Sequence, residues 1–243
     1  GDGWGADPHS LNGTITIAEA TDNDAALTAI VEPAELAEVG TVSNFVVTLK
    51  NNGLNNLTAL DIDYSIVDAS APPKITGTFS WTGNLALGET EDVTLVTGHT
   101  FDTEGEFVAT ATINWVDDEN ADNNEVSKNI YAYETACGYE ISMVDSYNDG
   151  WNGTVLGLEQ NGILMGTFGE GFVDGGEFGP VSIDLIDGLE TNIVVVELGS
   201  WTSEIGFTIV SPFGFTVHER VPGESFTADD ILFTFDAMCT LPD

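Results

Sequence analysis

In Phe107-Val-Ala-Thr-Ala-Thr-Ile-Asn-Trp115 every odd-numbered residue is apolar, and Thr110, Thr112 and Asn114 fall between them. A period of two is the mark of a β-strand with one face on a core and the other in water. The pattern spreads outward to Leu60-Asp-Ile-Asp-Tyr-Ser-Ile66 and Phe45-Val-Val-Thr-Leu49. Turn signals separate the runs at Asn51-Asn-Gly53, Pro72-Pro73 and Gly83-Asn84. Helical periodicity is nearly absent. The spacing predicts strands at 24–31, 42–50, 58–67, 75–81, 91–97, 106–116 and 125–132, a set that fits an immunoglobulin-like sandwich. Past Cys137 the alternation resumes between Gly-rich turns. There it predicts strands at 139–145, 154–160, 163–168, 180–186, 191–198, 204–211, 214–218 and 230–236, which point to a jelly-roll-like sandwich.

The expected fold class is therefore all-β, in three parts. Residues 23–132 form the immunoglobulin-like sandwich, and residues 133–243 the jelly-roll-like one. Residues 1–22 are an N-terminal extension or the tail of a preceding module, with one strand at Thr14-Ile-Thr-Ile17. The joint Tyr131-Ala-Tyr-Glu-Thr-Ala136 has no flexible Gly/Ser run. A start at Gly1, with no signal peptide, is expected of a processed chain or a piece of a longer one.

Composition narrows the function classes. The chain holds 41 acids and 4 bases, a net charge of −37. Such a field repels phosphate backbones and anionic lipid, so nucleic acid and membrane insertion are not expected. It attracts divalent cations and suits a salty exterior, where a Debye length of roughly 8 Å or less screens self-repulsion. Disorder is not expected, because 42% of residues are hydrophobic and 5 Trp and 13 Phe can fill cores. The two cysteines, Cys137 and Cys239, bracket the C-terminal part. A disulfide between them would clip its ends together and would last only in an oxidising place. The alternative is two buried free thiols.

The run Asp145-Ser-Tyr-Asn-Asp-Gly-Trp-Asn-Gly153 carries the chemistry. Asp145, Asn148, Asp149 and Asn152 all offer oxygen, and Gly150 and Gly153 allow a tight turn. Calcium takes six to eight hard oxygen ligands, so the run reads as a Ca2+ loop. It is not an EF-hand, since no Glu stands at the twelfth position and no helices flank it. A solvated turn is the other reading. A second acidic run, Asp117-Asp-Glu-Asn-Ala-Asp-Asn-Asn-Glu125, offers Asp117, Glu119 and Asp122 for a second ion. The competing reading there is a hairpin loop rich in turn-forming Asn.

Two resemblances attach to these residues. Asp24-Ala-Ala-Leu27, Val46-Val-Thr-Leu-Lys-Asn-Asn-Gly53, Asp63-Tyr-Ser65, Leu87-Gly-Glu89 and Asp118-Glu-Asn-Ala-Asp-Asn-Asn124 occur in that order. The order resembles immunoglobulin-like modules, related to the bacterial cell-adhesion domain, in secreted proteins of Bacteroidetes. That likeness implies a spacer or adhesion module, usually without catalysis. Cys137, the run at 145–153, Asn161-Gly162, Gly199-Ser-Trp-Thr-Ser-Glu-Ile-Gly-Phe207 and Cys239 are similar to a small β-domain of large secreted Bacteroidetes proteins. Its core signature is Asp-Ser-Tyr-Gly-Asp-Gly-Trp-Asn-Gly. Here Asn148 replaces the usual Gly, a mild change because Asn tolerates left-handed backbone angles. The resembling domains carry an acid after the Gly-aromatic step, which implies Glu204 as a fifth ligand.

Trp151 and Trp201 are candidate ligand-facing aromatics, since planar rings beside calcium are one way to bind sugars. They are also ordinary hydrophobic plugs at the end of a sandwich, and that is the preferred reading. His9, His99 and His218 are isolated, and no nucleophile motif accompanies them, so an enzyme is not expected. The expected function is a non-catalytic, calcium-stabilised structural or adhesive segment of a secreted or cell-surface protein, such as a fibre. Its expected partners are neighbouring modules or subunits of the same protein, and surface glycans. The rival reading is a calcium-dependent carbohydrate-binding module accessory to a secreted hydrolase.

Overall fold

The computed structural model describes residues 21–68 and 73–241. The strand expected at Thr14–Ile17 lies outside them. The described residues are almost wholly β, as the alternation requires. In chain order the strands are β1 (Ala25–Glu32), β2 (Leu36–Glu38), β3 (Val42–Asn51), β4 (Leu57–Asp68), β5 (Pro73–Leu85), β6 (Thr90–Thr100), β7 (Gly105–Asn114) and β8 (Glu125–Tyr133). They continue as β9 (Ala136–Asp145), β10 (Val155–Gln160), β11 (Ile163–Phe168), β12 (Glu177–Ile186), β13 (Glu190–Glu197), β14 (Ile205–Val210), β15 (Thr216–Arg220) and β16 (Ile231–Asp236). No helix among the described residues is long and apolar enough to cross a membrane.

The chain divides into two compact units. Of the described residues, one comprises 21–34, 43–68, 73–99 and 107–129; the other comprises 35–42, 100–106 and 130–241. In the first unit β1, β3 and β6 form one sheet in the order β1-β3-β6, while β4, β5 and β7 belong to a sheet ordered β2-β8-β7-β4-β5. Its core is the apolar half of each alternating run. Phe107, Ala109, Ala111 and Ile113 of β7 are buried, as are Phe45, Val47 and Leu49 of β3. Burying each large side chain contributes about 1.5–3 kcal/mol. Asn51 is buried with them and fully occupied. Its Nδ2 donates to Asn55 O (2.9 Å) and Leu85 O (2.8 Å), and its Oδ1 accepts from Gly53 N (3.0 Å). The predicted Asn-Asn-Gly turn is thus held by a buried amide.

In the second unit, three-residue β2 pairs in parallel with the end of β8, Leu36 opposite Tyr131 and Glu38 opposite Tyr133. The sequence reading has no strand there, because so short a segment after Pro33 shows no period. The rest of this unit is two antiparallel four-stranded sheets, ordered β11-β10-β13-β16 and β12-β9-β14-β15. It is jelly-roll-like in its eight strands shared between two sheets, with β10–β11 and β14–β15 as hairpins within one sheet. Tyr139, Ile141 and Met143 of β9, Leu156 and Leu158 of β10, and Ile205, Phe207 and Ile209 of β14 fill the core. Gln160 is its buried polar staple, accepting from Ile186 N (2.9 Å) and donating to Ile186 O (3.1 Å) and Thr191 Oγ1 (3.0 Å). Cys137 and Cys239 form a disulfide across 102 residues, joining β9 to the segment after β16.

Candidate metal centre

Three loops of the second unit meet at one end of its sheets: the β9–β10 loop, the β11–β12 loop and the β13–β14 loop. Backbone hydrogen bonds tie the first to the second, from Asp145 N to Gly176 O (2.9 Å), Trp151 N to Phe172 O (2.9 Å) and Gly175 N to Asn148 O (3.2 Å). Others tie it to the third, from Ser146 N to Glu204 O (3.1 Å) and Ser200 N to Asn152 O (3.2 Å). Gly150 is required at this junction. Its φ is +79°, and a Cβ there would strike Phe172 O and lie 2.7 Å from Val173 C.

The period of two explains Asp145. Tyr139, Ile141 and Met143 face the core, so the last residue of β9 faces inward as well, and it is a carboxylate. Asp145 is only 5% exposed. Its Oδ2 accepts from Tyr147 N (3.1 Å) and Asp149 N (2.9 Å). Its Oδ1 is buried without a hydrogen-bond partner. A buried charged oxygen in that state is costly unless a cation meets it. Asp149 is exposed and is steadied by Asn152, whose Nδ2 donates to Asp149 Oδ1 (3.2 Å) and Gly150 O (3.0 Å). Glu204 ends a short 3-10 turn, Thr202–Glu204, before β14. One ligand atom from each of Asp145, Asp149 and Glu204 lies within 4.8 Å of the others.

The charges respond to this crowding. Partial desolvation first, and then the negative charges of Asp149 and Asp145, hold the Glu204 carboxyl above its ordinary range. Among the described residues, no basic group is a cause of the Glu204 shift. Arg220, the sole base in residues 133–243, lies over the Phe226 ring (4.9 Å to its centre) and donates to Glu224 O.

Of the five expected ligands, the structure gathers the three carboxylates. The two amides shape the loop. Asn148 takes the left-handed conformation (φ 63°) that Gly would supply, and its Oδ1 lies against Gly176. Asn152, also left-handed at φ 50°, turns donor groups toward Asp149. Trp151 is corrected as a ligand-facing ring. It is 1% exposed and packs against Phe168, Phe172 and Phe207 at 5.9, 6.0 and 6.3 Å between ring centres. Its indole N–H donates to Val144 O (3.0 Å), so it is a plug with its polar tip satisfied. Trp201 is 67% exposed.

The second acidic run is arranged differently. Among the described residues, Asp117, Glu119 and Asp122 form no such convergent group. All three are exposed, and Glu119 accepts from Asp22 N (3.0 Å). Their neighbours carry the structure instead. Asp118 accepts from Ala25 N and Asn120 N, both at 2.9 Å. Buried Asp24 accepts from the side-chain amides of Asn120 (3.3 Å) and Asn123 (2.9 Å). The loop therefore locks onto the start of β1 by hydrogen bonds, and Asx-turn chemistry is the signal that marks it.

No family model and no curated protein matches the chain. Among solved structures it is similar to the crystal structure of the CARDB domain of the PF1109 protein from Pyrococcus furiosus, in complex with di-metal ions. The identity is 18%, over 49% of this chain and 100% of that one, with a TM-score of 0.36. It is similar also to the solution NMR structure of the same domain, at 19% identity over 47% of this chain and 97% of that one, with a TM-score of 0.34.

Proposed function

We propose that this chain is a non-catalytic, calcium-stabilised structural or adhesive segment of a secreted or cell-surface protein. One observation carries the reading: Asp145, Asp149 and Glu204 converge, and the inward Asp145 Oδ1 has no partner. Hard carboxylate oxygens without imidazole or thiolate favour calcium over softer metals. Backbone carbonyls and water complete its shell. An ion there would bind two loops, since Asp145 and Asp149 belong to one and Glu204 to another. The ion would stiffen the end of the second unit where Trp151 plugs the core.

The disulfide supports an oxidising, extracellular setting. His218 favours a non-catalytic role, being stacked on Phe233 at 4.2 Å between ring centres. The proposed partners are neighbouring modules or subunits of the same protein, as in a fibre. Calcium that binds only the folded chain raises its stability by about 2.7 kcal/mol at a hundredfold excess over Kd. Thermal melts with calcium and with chelator test this, beside elemental analysis of the purified protein. A higher melting temperature in calcium is expected. An unchanged one, with no bound metal, overturns the reading.

A further inference from the structure

Each of the three loops that meet at this end of the unit exposes a large side chain, and two of them supply the carboxylates. Tyr147 is 73% exposed, Val173 79% and Trp201 67%. Tyr147 stands between the ligands Asp145 and Asp149, and its own N–H fixes Asp145 Oδ2. Trp201 stands three residues before Glu204, and its carbonyl accepts from Glu204 N (2.9 Å). Its backbone is left-handed, φ 61° and ψ 39°, a conformation that bulky residues rarely adopt. A Gly or Asn would hold that turn more easily.

We propose that this end of the second unit binds a neutral glycan, with a vicinal diol on the calcium ion and a sugar face against Trp201. The proposal rests on the calcium reading above. Three carboxylates leave room in a shell of six to eight oxygens. Asp149, the exposed member, opens that room to solvent. Two hydroxyl oxygens on adjacent carbons suit a hard cation, and the C–H face of a sugar ring suits an aromatic plane. Charge selects among glycans. Three carboxylates against one divalent ion still leave a net negative site, on a chain of net charge −37. Uronic and sulfated sugars are repelled, while neutral hexoses are not.

The test is affinity electrophoresis of the full chain through gels containing laminarin, mannan or galactomannan, with alginate as the acidic control. Each gel is run in calcium and in chelator. Retardation by at least one neutral polysaccharide, in calcium only, is expected. Trp201→Asn keeps the left-handed turn and removes the ring; it should weaken retention roughly tenfold, about the loss of 1.4 kcal/mol. Tyr147→Ala should weaken it less. Both variants should keep the calcium-dependent melting shift. A normal melting shift without neutral-glycan retention overturns this proposal alone. So does equal retention of Trp201→Asn and the parent, or equal retardation by alginate. A missing melting shift overturns the calcium reading and this proposal with it.

Discussion

The negative charges of Asp149 and Asp145 oppose ionisation of Glu204. Glu204 is held protonated to higher pH than an ordinary carboxyl, by partial desolvation and then by Asp149 and Asp145. Its pKa is raised in the folded state, so between the ordinary value of 4.5 and the raised one the folded chain binds the extra proton. Without metal, this group's contribution therefore destabilises the fold as pH rises through that window. Glu204→Gln removes both the repulsion and one of the three proposed ligands. In chelator at neutral pH the variant should melt higher than the parent, and added calcium should move it less. Melts of both proteins in chelator and in calcium check this; a variant that melts lower in chelator and shifts fully in calcium contradicts it.

The loops between elements are where glycine matters, and two neighbours make opposite demands. Gly150 and Gly153 both have positive φ, +79° and +88°. A Cβ on Gly153 meets nothing within 4 Å, whereas one on Gly150 meets the backbone of the β11–β12 loop. Gly153→Ala should cost about 1 kcal/mol, the strain of a left-handed alanine. Gly150→Ala should cost more, about 2–4 kcal/mol, because strain and a backbone clash combine. It should also weaken calcium binding by shifting Asp149. Urea unfolding of both, and calcium titration of Gly150→Ala, test the contrast. The strands were legible in the sequence because a half-buried strand writes its period in every second residue. The three-residue β2 was not, for it is too short to show one. The closeness of Asp145 and Asp149 was legible in the run at 145–153. The burial of Trp151 depended on contacts with Phe168, Phe172 and Phe207, which are distant in sequence or lie across a loop. The exposure of Tyr147 had no sequence signal at all, since a tyrosine between acids reads the same whether its ring is in or out.

Charge acts on the whole molecule. With 41 acids against 4 bases, the folded chain repels itself at every pH where carboxylates ionise. Two kinds of cation relieve this, and they differ in range. Sodium screens exposed charges collectively, with a Debye length that falls from roughly 30 Å at 0.01 M to 3 Å at 1 M. Calcium at the three-carboxylate cluster, as proposed, would act locally, because the deepest of the three carboxylates, Asp145, is shielded from solvent ions by burial. Melting temperature in chelator should therefore climb with sodium chloride and level off once screening is complete. The further gain on adding calcium should shrink only modestly at high salt, because the partly buried ligands are screened least. Melts across a sodium chloride series, each with chelator and with calcium, separate the two effects. If high salt abolishes the calcium gain, the ion acts only as a diffuse counterion, and neither a defined site at Asp145, Asp149 and Glu204 nor glycan binding through it survives.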